Sequence, residues 1–326
     1  MKSILFAAML ALTFAQASAA SFDCAKANTP SSKQICSEPE LSKLDDELAV
    51  VFSEARSKLS VESQKLLVEG QRSWLRFHSR LCFFDDEAKP KDKKASVQCQ
   101  IDEYRSRIET LKSAGSLVLG VKKIPYFQGW VDINTKKKKV TSEKGEFPLF
   151  EGVSTSARAL NALIHPMIKP SAFDAGGKLT YEGDETTWFS LSVKVTDLGS
   201  DLAVIGKSKG AGGSFPENYL SSVLYFSKTL NRPIKISDVF KSQEWTLKAK
   251  NIAIKRLKSS GDEDQVEEFK ELFGPRPEHN FEYTINAEGF TIDLPSRLLS
   301  EQNMIWKDFS EFLTPLGQRL SRISQK

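Results

Sequence analysis

No apolar run in this chain is longer than about a dozen residues, well short of the roughly 20 that carry a helix across a bilayer. A membrane-spanning reading of the folded part is therefore excluded. Histidine is scarce: His78, His165 and His279 are the only three, they lie far apart, and no HExxH run exists, so the zinc-hydrolase pattern is missing. Charge of one sign is lacking too. The net +4 over 326 residues is small and its basic residues are spread along the chain, which argues against a phosphate-neutralising nucleic-acid stripe. The four cysteines, Cys24, Cys36, Cys82 and Cys99, form no CxxC pair and have only His78 as a nearby imidazole, which weighs against zinc.

Two chemistry-like segments also fall short. The glycine-rich stretch from Gly206 to Ser214 is followed by Phe215 and Pro216, whereas a phosphate loop places Lys and Ser or Thr after its last glycine at a helix start. A loop between strands is the expectation for Gly206–Pro216. The acidic cluster Asp262, Glu263, Asp264, Glu267 and Glu268 has no calcium-loop ligand spacing and reads as a solvated helix face. No catalytic residue, metal site or cofactor is expected, and the chain reads as a binding protein rather than an enzyme.

What is present begins with an export pattern. Lys2, the apolar stretch from Ile4 to Phe14, and Ala17-Ser18-Ala19 form the charged, apolar and small-residue parts of a secretory signal, with cleavage expected after Ala19. A lipid anchor would need its cysteine at the cleavage point, but Cys24 lies further on. With 40% hydrophobic and 27% charged residues the mature chain has an ordinary globular composition, and its length suggests two cores. The expected units are a signal at 1–19, a helical domain at 20–115 and an α+β domain at 116–326. The expected place is the bacterial periplasm or the outside of the cell.

An even cysteine count in an exported chain reads as a disulfide framework, and four cysteines allow three pairings. Apolar residues at Leu41, Leu44, Leu48, Val51, Phe52, Ala55 and Leu59 make a helical stripe, with Ser37 and Glu40 spaced as a capping box and Pro39 in the first turn. A second helix is expected over about 61–81 through Leu66, Leu67, Trp74 and Phe77, and a third over about 98–111 through Ile101, Tyr104, Ile108 and Leu111. The short connection at Ser60 makes the first two antiparallel, which gathers every cysteine at one end of the bundle. We pair Cys24 with Cys36 and Cys82 with Cys99; the second bridge closes the Asp- and Lys-rich loop 83–97 and would stabilise by about 3 kcal/mol.

Phe22, Asp23 and Cys24, then Ile35-Cys36 with Pro39, Glu40, Leu41, Leu44 and Asp45, then Gln71, Arg72, Ser73, Trp74 and Leu75 before Cys82, and last Cys99, Tyr104, Arg107, Ile108 and Leu111 resemble the LprI-type lysozyme-inhibitor domain over about 22–112. The stretch between the last two cysteines is longer and more charged than that pattern. The resemblance implies an exported envelope protein and, for some members, inhibition of lysozyme. Trp74 on an apolar stripe reads as core, while Arg72, Arg76 and Arg80 at spacings of four form a basic face on the second helix, with Arg72 a candidate contact residue.

After Gly115 the pattern changes to strands, expected over 127–133, 188–195, 202–205 and 220–226, with a hairpin from Phe281–Ile285 to Phe290–Leu294 and helices over about 156–168, 245–257 and 306–313. The class is α+β with an antiparallel sheet behind a disulfide-stapled three-helix bundle. Phe147-Pro148-Leu149-Phe150, the run from Tyr225 to Phe240 and the end from Phe290 through Trp306 to Gly317 resemble the extracellular domain of the RsiV anti-sigma factor over about 121–320. That resemblance implies lysozyme recognition without the signalling parts of RsiV, which this chain lacks.

Binding or inhibition of a lysozyme-like muramidase is the leading expectation, a peptidoglycan- or glycan-binding accessory the alternative, and a hydrolase marked by clustered perturbed carboxylates a third. For an inhibitor, Gly210, Gly212, Gly213 and Phe215 are the candidate insertion loop and Asp262, Glu263 and Asp264 the candidate steering surface.

Overall fold

The structure is a computed structural model that describes residues 20–85, 87–168, 186–199, 201–213, 218–259, 261, 263–272, 282–286, 288–293 and 302–323. It opens with four helices, α1 (Pro30–Ser37), α2 (Pro39–Ser57), α3 (Val61–Leu81) and α4 (Lys93–Lys112). Leu41, Leu44, Leu48, Val51 and Ala55 of α2 bury the expected stripe, against Ile101, Tyr104, Ile108 and Leu111 of α4 and Leu67, Trp74 and Phe77 of α3. Cys24 pairs with Cys36 and Cys82 with Cys99, so one bridge ties the 3-10 turn at Cys24–Lys26 to α1 and the other ties the end of α3 to α4.

Helix α1 was not expected, and it displaces the expected cap. Thr29 and Ser32 form the capping box that starts α1. Glu38 stands at the N-cap of α2 with no side-chain cap bond, and the Ser37 hydroxyl turns back to the Gln34 carbonyl. Pro39 is the reason: a residue before proline is driven out of the helical region, and Glu38 is extended at φ −112° and ψ 111°. One helix is thereby split into two.

The second half holds a seven-stranded sheet in sequence order: β1 (Leu117–Val118), β2 (Val121–Asn134), β3 (Lys139–Phe150), β4 (Thr186–Gly199), β5 (Leu202–Gly213), β6 (Asn218–Ser227) and β7 (Arg232–Pro233). Neighbours are antiparallel except β3 and β4, which run parallel across α5 (Thr155–Ile168). The lysine run forms the β2–β3 turn, where Asn134 Oδ1 accepts from the Lys137 N–H at 2.9 Å and Lys138 takes φ 50°.

A three-stranded antiparallel sheet follows, with β9 (Gly289–Asp293) between β8 (Glu282–Ile285) and β10 (Gln302–Ile305). Ile285 faces Phe290 across the expected hairpin, and Asn286 Oδ1 accepts from the Glu288 and Gly289 N–H groups in its turn. Gly289 is required there, since a Cβ would overlap the Met304 carbonyl of β10. Around this sheet lie α6 (Ile236–Val239), α7 (Glu244–Ser259), α8 (Glu263–Leu272), a 3-10 turn at Trp306–Phe312 and α9 (Pro315–Ile323).

Two hydrophobic clusters result, and they divide away from Gly115. The first runs from Ile35 in the bundle through Phe77 and Phe127 to Phe226 in the large sheet. The second joins Leu202 and Tyr225 to Phe240, Trp245, Phe290, Trp306 and Phe309. Helix α3 joins bundle to sheet. Gly70 lets it lie against β2, where a Cβ would stand 2.9 Å from the Phe127 nitrogen, and Ser73 Oγ accepts from the Gly129 N–H at 3.1 Å.

Candidate binding surfaces

The residues that carry the sequence resemblance in the bundle are mostly interior. Trp74 is 1% exposed and packs edge-on to Tyr104, whose hydroxyl donates to Asp45 Oδ1 at 2.9 Å. The other Asp45 oxygen accepts from the Ser21 N–H and hydroxyl at 2.8 and 2.6 Å, so the described chain is anchored from its second residue. Arg107 is buried over the Phe127 ring and donates through Nε to Gln71 Oε1 at 2.9 Å. Burial pushes its guanidinium down to about 10, with Glu146 opposing the shift. These side chains build the bundle and its seat on the sheet.

Arg72, like Asp23, Pro39, Glu40 and Leu75, is exposed. With Arg56 at the end of α2, and with Val61, Lys65, Val68 and Arg76 at helical spacings along α3, it lines an open depression of about 590 Å³. Arg56, Arg72 and Arg76 are exposed and make no side-chain hydrogen bond or ion pair among the described residues. Lys65 is paired with Glu62 at 2.9 Å. Glu69, the acid within the depression, accepts from the Tyr126 hydroxyl at 3.0 Å and so leans toward β2. The periodicity at 72, 76 and 80 pointed to this face; Arg56 comes from another helix, and no linear spacing reveals it.

The glycine-rich expectation is corrected. Gly206 to Gly213 form most of β5, paired with β4 on one side and β6 on the other, and are no loop. Their lack of side chains makes room for an aromatic ring: a Cβ at Gly210 or Gly212 would stand 2.9 or 2.5 Å from the Trp188 indole. Ser214, Phe215 and Asp262 lie outside the described residues, as do the side chains of Glu263 and Asp264 on α8.

Strand alternation puts Trp188, Ser190, Ser192 and Lys194 of β4 on one face with Gly206, Ser208, Gly210 and Gly212 of β5 and Ser221 and Val223 of β6. Leu191, Val193, Val195 and Ile205 occupy the opposite, buried face. At the far end Val204 and Tyr225 are covered by the second cluster, while Ser192, Lys194, Ser208, Ser221 and Val223 stay exposed. Among the described residues the result is a hydroxyl-bearing surface with one tryptophan.

Two carboxyls are pushed up by burial: Glu143 to about 7, with a Trp130 hydrogen bond opposing, and Glu146, beside Lys144, Glu103 and Arg107. Three positions apart on one strand, they face opposite sides of the sheet and make no acid–base pair. Among the described residues no group of three or more His, Cys, Asp or Glu is placed to hold a metal. No described helix is long and apolar enough to cross a membrane.

Comparison with solved structures finds a DUF3298 family protein from Pseudomonas aeruginosa, 10% identical, with a TM-score of 0.36 over 60% of this chain and 95% of that one. A DUF3298 family member from Bacteroides fragilis is also 10% identical, with a TM-score of 0.32 over 63% of this chain and 99% of that one. Comparison with curated proteins finds no match. Residues 24–111, from the first disulfide to the end of α4, match the family described as Lysozyme inhibitor LprI.

Proposed function

We propose that this is an exported envelope protein that binds and inhibits a lysozyme-like muramidase through its helical part. The match of residues 24–111 to a lysozyme-inhibitor family carries the reading. Two disulfides support an oxidising compartment, where such staples persist. Ala20 packs on the first cluster and Ser21 is bonded to Asp45, which suits a leader ending at Ala19. The RsiV-like reading of 121–320 supports the same partner and stands on its residue pattern alone. The test is muramidase activity on cell-wall substrate with increasing purified protein, across several lysozymes. Inhibition saturating at one protein per enzyme is expected; full activity at micromolar excess over every lysozyme sinks the reading.

The face of β4–β6 that carries exposed Ser192, Ser208 and Ser221 beside Trp188 favours a second reading, attachment to cell-wall glycan. A tryptophan held on glycines offers an apolar platform to a sugar ring, and Ser192, Ser208 and Ser221 offer hydroxyl partners. Retention on insoluble peptidoglycan that drops severalfold in Trp188→Ala would support it. Retention unchanged by that substitution would remove this face from consideration.

A further inference from the structure

We propose that the arginine-lined depression on α3 is the docking surface for an acidic protein cleft, its guanidiniums meeting the carboxylates that a muramidase needs for catalysis. This rests on the inhibitor reading above and assigns it a surface. Arg56, Arg72 and Arg76 place three positive charges around one opening against a single acid, Glu69, which is turned to the Tyr126 hydroxyl, and none of the three is in an ion pair with a described carboxylate. Like charges held together are unfavourable, and a carboxylate partner relieves that repulsion while the arginine fork binds it through two parallel hydrogen bonds.

Spacing supports the choice of occupant. Residues 72 and 76 are four apart on a helix, a rise of about 6 Å, and the two carboxyls of a glycosidase stand roughly 5 to 9.5 Å apart. Val61, 70% exposed, and the half-buried Val68 add apolar contact between the charges. The platform is rigid as well. Helix α3 is fixed by Leu67 and Trp74 in the bundle core and by Gly70, Ser73 and Phe77 against β2, so little backbone order is lost on docking. The modest net charge of +4 is then no obstacle, because the complementarity is local.

The experiment compares the full mature protein with its Arg72→Glu/Arg76→Glu double variant, each titrated with an active lysozyme and with that enzyme carrying amides in place of both catalytic carboxylates. All three arginines are exposed, and unchanged circular dichroism and thermal midpoint will show that the double variant folds. We expect about tenfold weaker binding per arginine reversed, roughly a hundredfold for the pair, and a comparable loss from amidating the enzyme. The two losses should overlap in a double-mutant cycle rather than add. If the wild type binds and the double variant binds equally well, the surface is wrong and the inhibitor reading stands. If the wild type binds no lysozyme, the inhibitor reading fails and this occupant with it. Arginine-dependent binding of polyphosphate, with no sensitivity to the enzyme's carboxylates, would overturn the protein-cleft assignment.

Discussion

His78 lies flat on Trp74, ring centroids 4.2 Å apart, and edge-on to Tyr104 at 5.4 Å. Its Nδ1 is 3.2 Å from the Trp74 carbonyl, which places the proton on that nitrogen, and Nε2 is buried without a partner among the described residues. Burial is the main cause that pushes the imidazole down to about 4; the Trp74 carbonyl and the Asp45 charge only partly oppose it. The unfolded chain therefore takes up this proton near pH 6.5, well before the folded chain does. Stability from His78 is complete above that pH and falls as pH drops toward 4, by about 2 kcal/mol at pH 5. Urea unfolding at pH 7 and pH 5 should show the difference, and His78→Gln should remove most of it. An identical pH response in that variant would rule His78 out as the source.

At the scale of elements, how legible each piece was depends on which force sets it. The limits of α3 matched the expected 61–81, because a long amphipathic period reports a helix through its buried face. The hairpin at 282–293 was equally plain, its alternation and its Asn-to-Gly turn agreeing. Strand β3 escaped notice since Glu143, Lys144 and Glu146 interrupt its apolar pattern, and Trp130 of β2 and Glu103 and Arg107 of α4, which those charges meet, lie distant in sequence. Helix α1 escaped because its core contribution is one isoleucine, Ile35, with the rest of its fixing done by a disulfide and a polar box. In β5 the glycines signalled a loop when they were clearance for a tryptophan on the neighbouring strand. Of the candidate surface, the Arg72 periodicity could be read directly, whereas the approach of Arg56 from α2 is a product of packing.

For the molecule as a whole, both disulfides lie in the helical part, which taken alone would make that part unfold first on reduction. The packing argues for a different cooperative unit. Phe77 of α3 meets Phe127 of β2 at 5.4 Å, Gly129 is too close to both rings to carry a Cβ, and Lys144 of β3 reaches Glu103 of α4 at 3.2 Å. Opening the bundle would expose the face of β2 that it covers, so the free-energy cost of breaking it includes that of stripping the large sheet. The second cluster, built on the stacked Phe240 and Trp245 with Phe290, Trp306 and Phe309, contains no disulfide and meets the first mainly along β5 and β6. We expect reductant, followed by hydrogen exchange, to remove protection from 61–81 and 121–134 together while 244–259 and 289–293 keep theirs. Loss confined to 61–81 would mean that the bundle opens alone, and that the α3–β2 contact is a docking of separate units rather than a shared core.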